Sequence, residues 1–247
     1  MIERYPRWQK ATIKKLMLER RVLLLSGPRQ CGKTTLAREL ESNETEYRTL
    51  DDGTLREAAE NDPQGFIKRR TKTLIVDEVQ KIPSLLSAIK KAVDKDTRPG
   101  QYLLTGSTNI QSLPTVRESL AGRIAKIRLR PLAQGEIERN ASRFIDSAFK
   151  QSFSRRHSHY DRDALLEIAF RGGFPEPILL QDRGRKRWHF DYVNDILERD
   201  LKEIARIQRK NKPHRKIRLF PVNPVAPTVP QQDRPRDFCK SHPFGTE

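Results

Sequence analysis

The segment Gly27–Thr34 has the spacing G-x-x-x-x-G-K-[ST], which is typical of a loop that binds phosphate groups. Glycine lets backbone N–H groups curl around a phosphate, and the N-terminus of a following helix adds positive potential. We expect Lys33 to reach the β- and γ-phosphates of a nucleotide and the Thr34 hydroxyl to bind Mg²⁺. The alternative is a glycine-rich turn that merely begins an ordinary helix.

Two carboxylates, Asp77 and Glu78, follow the short apolar run Thr73–Val76. A buried strand that ends in Asp-Glu places the first carboxylate at the carboxyl end of a sheet, where open α/β folds bind ligands. We expect Asp77 to hold Mg²⁺, mostly through water, and Glu78 to polarise the attacking water. The alternative is that both residues only cap the helix that begins after Pro83.

A further polar group follows the fourth predicted strand, at Ser107 and Asn109. If this strand lies between the first and the third, one of these two side chains lies beside the γ-phosphate and can hold the attacking water. The alternative is ordinary turn chemistry, which serine and asparagine favour. Two arginines, Arg123 and Arg171, are candidates to contact the γ-phosphate, either within the chain or across a subunit boundary.

Strand-like and helix-like segments alternate upstream of Pro131, which predicts an α/β fold with a five-stranded, mostly parallel sheet. The strands are predicted at 21–26, 46–51, 72–77, 101–105 and 123–130. The helices between them are predicted at 33–42, from a capping box of Thr54 and Glu57 onward, at 84–93 and at 115–120. Beyond Pro131 the patterns at 132–139, 162–170 and 186–208 predict helices.

Composition limits the class of protein. The 247 residues carry 49 Lys and Arg against 32 Asp and Glu, and no apolar run approaches the ~20 residues that cross a bilayer. With no secretory signal and two cysteines, we expect a cytoplasmic protein without membrane association or a disulfide framework. Residues 210–247 hold 7 of the 16 prolines and 8 basic residues, which predicts a disordered tail.

Six motifs together resemble a group of prokaryotic AAA-type P-loop ATPases of the additional-strand, catalytic-glutamate class. The resemblance covers about residues 5–209 and is carried by Gly27–Thr35, Leu74–Gln80 (LIVDEVQ), Leu103–Ser107 (LLTGS), Leu120–Arg123 (LAGR), Gly172–Pro175 (GGFP) and Glu198–Leu201 (ERDL). It implies that the chain binds ATP and Mg²⁺ and hydrolyses ATP. Together with the composition, it predicts a core at 1–131, a helical lid region at 132–209 and a tail at 210–247.

The resemblance carries over residue by residue. It implies that Lys33 binds phosphate, that Thr34 and Asp77 bind the metal, that Glu78 is the catalytic base and that Ser107 is in the sensor position. The expected nucleotide contacts are Gly27, Pro28, Arg29, Gln30, Cys31, Gly32, Lys33, Thr34 and Thr35. Members of the group usually continue into a winged-helix-like segment and a nuclease-like C-terminal domain. Here a proline-rich basic stretch follows Arg209, so we expect a C-terminally truncated member whose last residues are translated out of frame.

The sequence is consistent with three functions. The first is a Mg²⁺-dependent ATPase whose lid relays the nucleotide state to a protein partner, a missing domain or a second copy of the chain. The second is a small-molecule phosphotransferase, which Glu78 disfavours because such an enzyme need not position a hydrolytic water. The third is a nucleotide-switched basic module that binds nucleic acid weakly and without sequence preference.

Overall fold

The computed structural model describes residues 5–107, 122–140, 144–150 and 160–210. The helix predicted at 115–120, the candidate Asn109 and residues 211–247 of the predicted tail lie outside these residues. The chain divides into two compact units, 1–197 and 198–247. Of the second unit, the structure describes the helical residues 198–210.

The described elements alternate as the sequence predicts. In chain order they are α1 (Gln9–Glu19), β1 (Val22–Gly27), α2 (Lys33–Arg38), β2 (Thr45–Thr49), α3 (Gly53–Asn61), α4 (Pro63–Phe66), β3 (Thr73–Asp77), α5 (Ser84–Lys95), β4 (Tyr102–Ser107), β5 (Ile124–Arg128), α6 (Gln134–Ile137), α7 (Phe144–Phe149), α8 (Arg162–Arg171) and α9 (Asp182–Lys210). Two short 3₁₀ turns lie at Val79–Lys81 and Pro177–Leu179.

All five strands are parallel, in the order β2-β3-β4-β1-β5. Strand β4 lies between β1, which leads into the phosphate loop, and β3, which ends at Asp77. The order confirms the predicted additional-strand fold. Because the strands are parallel, their carboxyl ends meet at one edge of the sheet, and this edge carries the phosphate loop, Asp77 and Ser107.

The sheet is buried on both faces. Side chains of β1 alternate between two apolar clusters: Val22 and Leu24 pack with α5, whereas Leu23 and Leu25 pack with α1 and α2. All six residues of β1 are buried, as expected for a parallel strand covered by helices on both sides. Among the described helices, none is long and apolar enough to cross a membrane.

The start of α3 differs from the prediction. The cap is Asp52, whose carboxylate accepts hydrogen bonds from the backbone N–H groups of Thr54 and Leu55 at 2.8 and 3.1 Å. The capping box predicted at Thr54 and Glu57 is therefore wrong, because an aspartate two residues earlier already satisfies the free N–H groups. Helix α1 was not among the predicted elements.

A buried ion pair joins the N-terminal segment to the end of the sheet. Arg7 and Glu136 lie 3.6 Å apart, with side chains only 6% and 2% exposed. The Glu136 carboxylate also accepts from the backbone N–H groups of Trp8 and Ala133 at 2.8 and 3.0 Å. Burial lowers the pKa of the Arg7 guanidinium, and Glu136 opposes that shift. The pair therefore links the segment before α1 to α6.

Replacing Glu136 by alanine should destabilise the fold strongly, because Arg7 would keep a buried charge without its counter-ion. Removing one partner of a buried pair costs about 3–5 kcal/mol. Urea unfolding measures this free energy, and Glu57→Ala, an exposed change on α3, should cost less than about 0.5 kcal/mol. Equal unfolding midpoints for the two variants would contradict a structural role for the pair.

Candidate functional site

The phosphate loop is shaped by backbone conformations that its glycines permit. A Cβ on Gly27 would lie 2.3 Å from the carbonyl oxygen of Leu129, so no other residue fits there without movement. Gly32 has φ of 95° and Gln30 has φ of 58°. Two left-handed residues within three positions curl the chain and turn successive N–H groups toward one side, the arrangement that forms an anion-binding concavity.

Lys33, the first residue of α2, folds back across this loop. Its side chain is buried, and Nζ donates to the carbonyl oxygen of Pro28 at 2.8 Å. The ammonium group is thereby held at the mouth of the loop, five residues back along the chain. This is the position from which a lysine can reach phosphates seated on the loop.

The fully buried carboxylate of Asp77 is the centre of the site. The Thr34 hydroxyl from α2 and the Tyr47 hydroxyl from β2 both donate to its Oδ2, each at 2.8 Å. The Thr105 hydroxyl from β4 donates to its Oδ1. Burial and the bond to Asp77 raise the pKa of the Tyr47 phenol, so this donor stays protonated at neutral pH. Three different elements therefore hold one carboxylate.

Thr105 also positions Glu78. Its hydroxyl accepts a hydrogen bond from the Glu78 N–H at 3.1 Å while it donates to Asp77. Glu78 itself has a left-handed backbone, with φ of 59°, and its carboxylate accepts from the Gln80 amide. A non-glycine residue in this conformation costs about 1–3 kcal/mol, and such strain is concentrated at functional sites.

Ser107 lies where the sequence predicts. It is the last residue of β4 and is paired in register with Gly27, on the adjacent strand. Neighbouring strands are about 4.8 Å apart, so Ser107 stands directly beside the start of the phosphate loop. The water-holding role of Ser107 stays a prediction.

The structure places the candidate Arg123 away from this site. Arg123 immediately precedes Ile124, the first residue of β5. Ile124 pairs with Val22, at the start of β1. Arg123 therefore lies at the edge opposite the phosphate loop, where it forms an ion pair with Asp94. Arg171, at the end of α8, donates to the Gln134 side chain at 2.6 Å.

Cys31 contributes its backbone and packs its side chain inward. Its thiol is fully buried in the cluster that includes Leu36 and Leu129, and burial raises its pKa. Its carbonyl oxygen accepts from the Arg7 guanidinium at 3.4 Å. The same guanidinium donates to the carbonyl oxygen of Arg130, so Arg7 ties the loop to the end of β5.

An aromatic cluster formed by Phe174 and two residues of α9 contacts the phosphate loop. Phe174, Trp188 and Tyr192 pack with ring centroids 4.9–5.3 Å apart, and the rings of Trp188 and Tyr192 are stacked. The Tyr192 hydroxyl lies 3.4 Å from the carbonyl oxygen of Arg29. Helix α9 and the phosphate loop are thus joined by this hydrogen bond.

Sequence reasoning missed several contributors to the site. Tyr47, Thr105, Arg7 and Tyr192 act through contacts between elements 24 to 163 positions apart in sequence. Thr105 alone had a local signal, since it lies in the polar end of β4. Among the described residues, no group of three or more His, Cys, Asp or Glu side chains could hold a metal.

Family models match two parts of the chain. Residues 19–138 match a family model described as an AAA domain, AAA_14. Residues 162–224 match DUF8612, a domain of unknown function, and this match runs past residue 209, where the tail was predicted to begin. The predicted division into 1–131, 132–209 and 210–247 stays a prediction.

Two curated relatives are the uncharacterized protein Rv2008c of Mycobacterium tuberculosis and Mb2031c of Mycobacterium bovis. Each is 27% identical over 185 residues, which are 74% of this chain but only 37% of the relative. Similar solved structures include AMPPCP-bound DnaA from Aquifex aeolicus, with a TM-score of 0.42, 16% identity and coverage of 76% of this chain and 64% of that chain. Another is the Pif1 helicase from Candida albicans, with a TM-score of 0.37, 15% identity and coverage of 68% and 47%.

The family match covers all five strands, the phosphate loop and the Asp77–Glu78 pair. The strand order places β4 between β1 and β3. The chain therefore carries an AAA domain of the P-loop type over residues 19–138.

Proposed function

We propose that the chain binds ATP with Mg²⁺ and hydrolyses it to ADP and phosphate, with Glu78 as the base. The observation that carries the proposal is the hydrogen bond between Thr34 and Asp77, which brings the hydroxyl next to the phosphate loop within 2.8 Å of the buried carboxylate. A hydroxyl and a carboxylate placed together beside a phosphate loop are the two protein oxygens that a nucleotide-bound Mg²⁺ needs.

The residues present suit this metal. Mg²⁺ is usually held by one or two protein oxygens together with substrate phosphates and water, and Asp77 has hydroxyl partners but no cation among its described contacts. When bound, Mg²⁺ supplies positive charge to the β- and γ-phosphates. Thr34 and Asp77 would hold it, and the Tyr47 and Thr105 hydroxyls would keep the Asp77 carboxylate in place.

The remaining residues bind phosphate and handle the proton. Backbone N–H groups of Gln30–Thr34 receive the phosphates, and Lys33 exchanges the Pro28 carbonyl for phosphate oxygens. Glu78 takes a proton from water as the water oxygen bonds to the γ-phosphorus and the bond to the β-phosphate oxygen breaks. Ser107 orients that water. A γ-phosphate contact from Arg123 would have to come from a neighbouring subunit, because within the chain this residue lies at the other edge of the sheet.

Glu78→Gln should retain ATP binding and lose turnover by about 10²–10⁴-fold, because the amide fills the same space but cannot accept the proton. Lys33→Ala should weaken ATP binding and also lose turnover. Phosphate release and equilibrium binding of a fluorescent ATP analogue measure the two quantities separately.

The control for this pair is Glu57→Gln, the same chemical change on the exposed face of α3, which should leave both quantities at the wild-type level. Turnover by Glu78→Gln at the wild-type rate would overturn the assignment of the base. Transfer of the γ-phosphate only in the presence of a small acceptor molecule would favour the phosphotransferase instead.

Thr34→Val should raise the Mg²⁺ concentration needed for half-maximal phosphate release by about tenfold or more, because it removes one metal-facing oxygen without changing the side chain's size. Thr34→Ser keeps the hydroxyl and should stay near wild type. A titration with Mg²⁺ after removal of metal by EDTA measures the difference. Turnover that persists in EDTA would contradict the metal site.

We also propose that the lid region senses the nucleotide through the aromatic cluster of Phe174, Trp188 and Tyr192. The support is the hydrogen bond from the Tyr192 hydroxyl to the carbonyl oxygen of Arg29, a residue of the phosphate loop. We expect this loop to adjust when phosphate enters. Phe174 adds a second connection, because it packs against the apolar cluster that contains Cys31 and Leu36. A shift of the loop is thereby passed to α9.

The protein has two tryptophans, so Trp8→Phe leaves Trp188 as the only one. In this background, adding ATP analogue should change the Trp188 emission, and Tyr192→Phe should reduce that change by about half or more because the stack stays but the hydrogen bond to Arg29 is lost. Stopped-flow fluorescence measures the response. The same response with and without the Tyr192 hydroxyl would contradict the relay.

A further inference from the structure

We propose that the edge of the sheet opposite the phosphate loop binds the phosphodiester backbone of a nucleic acid duplex. We call this surface the basic edge. Its eight cations are Arg20, Arg21, Arg69, Lys90, Lys91, Lys95, Arg98 and Arg123. The proposal does not depend on ATP hydrolysis by the chain.

The register of the sheet brings these residues together. Val22 pairs with both Tyr102 and Ile124, and Tyr102 pairs with Leu74, so the strands β1, β3, β4 and β5 begin at one level. Residues that precede these strands must therefore lie along one edge. Arg21 and Arg123 immediately precede adjacent strands.

Hydrogen bonds attach the end of α5 to the same edge. Arg21 donates to the carbonyl oxygen of Val93 at 3.1 Å, and the Arg20 carbonyl oxygen accepts from the N–H of Gly100 at 2.8 Å. The last turn of α5 ends at Lys95. The cations of α5 consequently extend the row that the strand starts form.

Cations at this edge exceed the carboxylates that could neutralise them. Asp94 pairs with Arg123, and both Lys90 and Arg21 help to lower its pKa. Asp96 pairs with Arg98 and Arg69 at 2.8 and 2.9 Å, and both lower its pKa.

Two carboxylates thus face five cations. The other three, Arg20, Lys91 and Lys95, are exposed and form no ion pair with any residue of the described ranges. Glu19, next to Arg20 at the end of α1, is a third carboxylate, so the eight cations leave a surplus of five positive charges.

The dimensions suit a duplex. Four adjacent strands at about 4.8 Å spacing make a row about 14 Å long. A DNA duplex carries one phosphate per ~1.7 Å of axis, or about eight phosphates over that length. Five of the eight cations are arginines, whose planar guanidinium groups bind phosphate oxygens in pairs. The match in charge and length favours a nucleic acid over an anionic membrane or an acidic protein.

The two sites are separated by the length of a strand. From Val22 to Gly27 the chain advances five residues at about 3.3 Å each, or about 17 Å. A duplex at the basic edge and a nucleotide at the phosphate loop therefore do not compete for space. Loss of one activity leaves the other measurable.

The test combines Arg20→Gln, Lys91→Gln and Lys95→Gln in one protein, because none of these side chains has a structural partner here. Fluorescence anisotropy with a labelled 20-base-pair DNA duplex, measured from 50 to 300 mM NaCl, gives the slope of log K against log salt. We expect about −5 for the wild type and a slope shallower by about 3 for the variant, since each lost cation removes roughly 0.9. The control combines Arg162→Gln, Arg183→Gln and Lys186→Gln, which removes the same charge from α8 and α9.

An unchanged slope in the control supports the basic edge, and an equal loss in both triple variants overturns it in favour of general positive charge. Absence of duplex binding by the wild type also overturns it. If the triple variant at Arg20, Lys91 and Lys95 binds the duplex normally but loses binding to phosphatidylserine vesicles or to polyglutamate, the surface belongs to a membrane or an acidic protein instead. Parallel measurements with an RNA duplex identify which nucleic acid the edge prefers.

Discussion

The rest of the site depends on one buried carboxylate. Asp77 is fully buried at the end of β3, and an ionised carboxylate in that position is costly unless donors surround it. Thr34, Tyr47 and Thr105 supply the donors from α2, β2 and β4. The sheet order is what makes this possible, because β2 and β4 are the two neighbours of β3. Packing of the sheet therefore also determines where the oxygens of Asp77 and Thr34 lie.

Because the strands are parallel, the two edges of the sheet carry different side chains. At the carboxyl edge, Gly27, Asp77 and Ser107 end their strands side by side. At the amino edge, α5 ends in Lys95, and Arg21 and Arg123 immediately precede β1 and β5. These cations gather at one end of the sheet without any single motif for it. Arg123 belongs to that end, which is why the structure separates it from the phosphate loop.

Local patterns predicted the fold because each strand end carries its own signal. Gly27, Asp77 and Ser107 each end an apolar run, and the parallel arrangement then determines that they meet. The same reasoning failed for the cap of α3, where Asp52 acts two residues before the predicted Thr54. It also could not find Tyr47 or Arg7, because their contacts join elements that only the complete fold brings together. Sequence spacing can identify the residues that end a strand, such as Asp77. It cannot identify the residues that bond to them from other elements, such as Tyr47.

The phosphate loop is held by its own protein contacts before any ligand arrives. Lys33 binds the Pro28 carbonyl, Tyr192 lies on the Arg29 carbonyl and Arg7 holds that of Cys31. These contacts use carbonyl oxygens, so the N–H groups of the loop stay directed toward the phosphate side. In the proposed function, binding of phosphate breaks the Lys33 bond and replaces a neutral acceptor with a charged one, which makes a stronger hydrogen bond. The Tyr192 contact on the Arg29 carbonyl then responds to the adjustment of the loop.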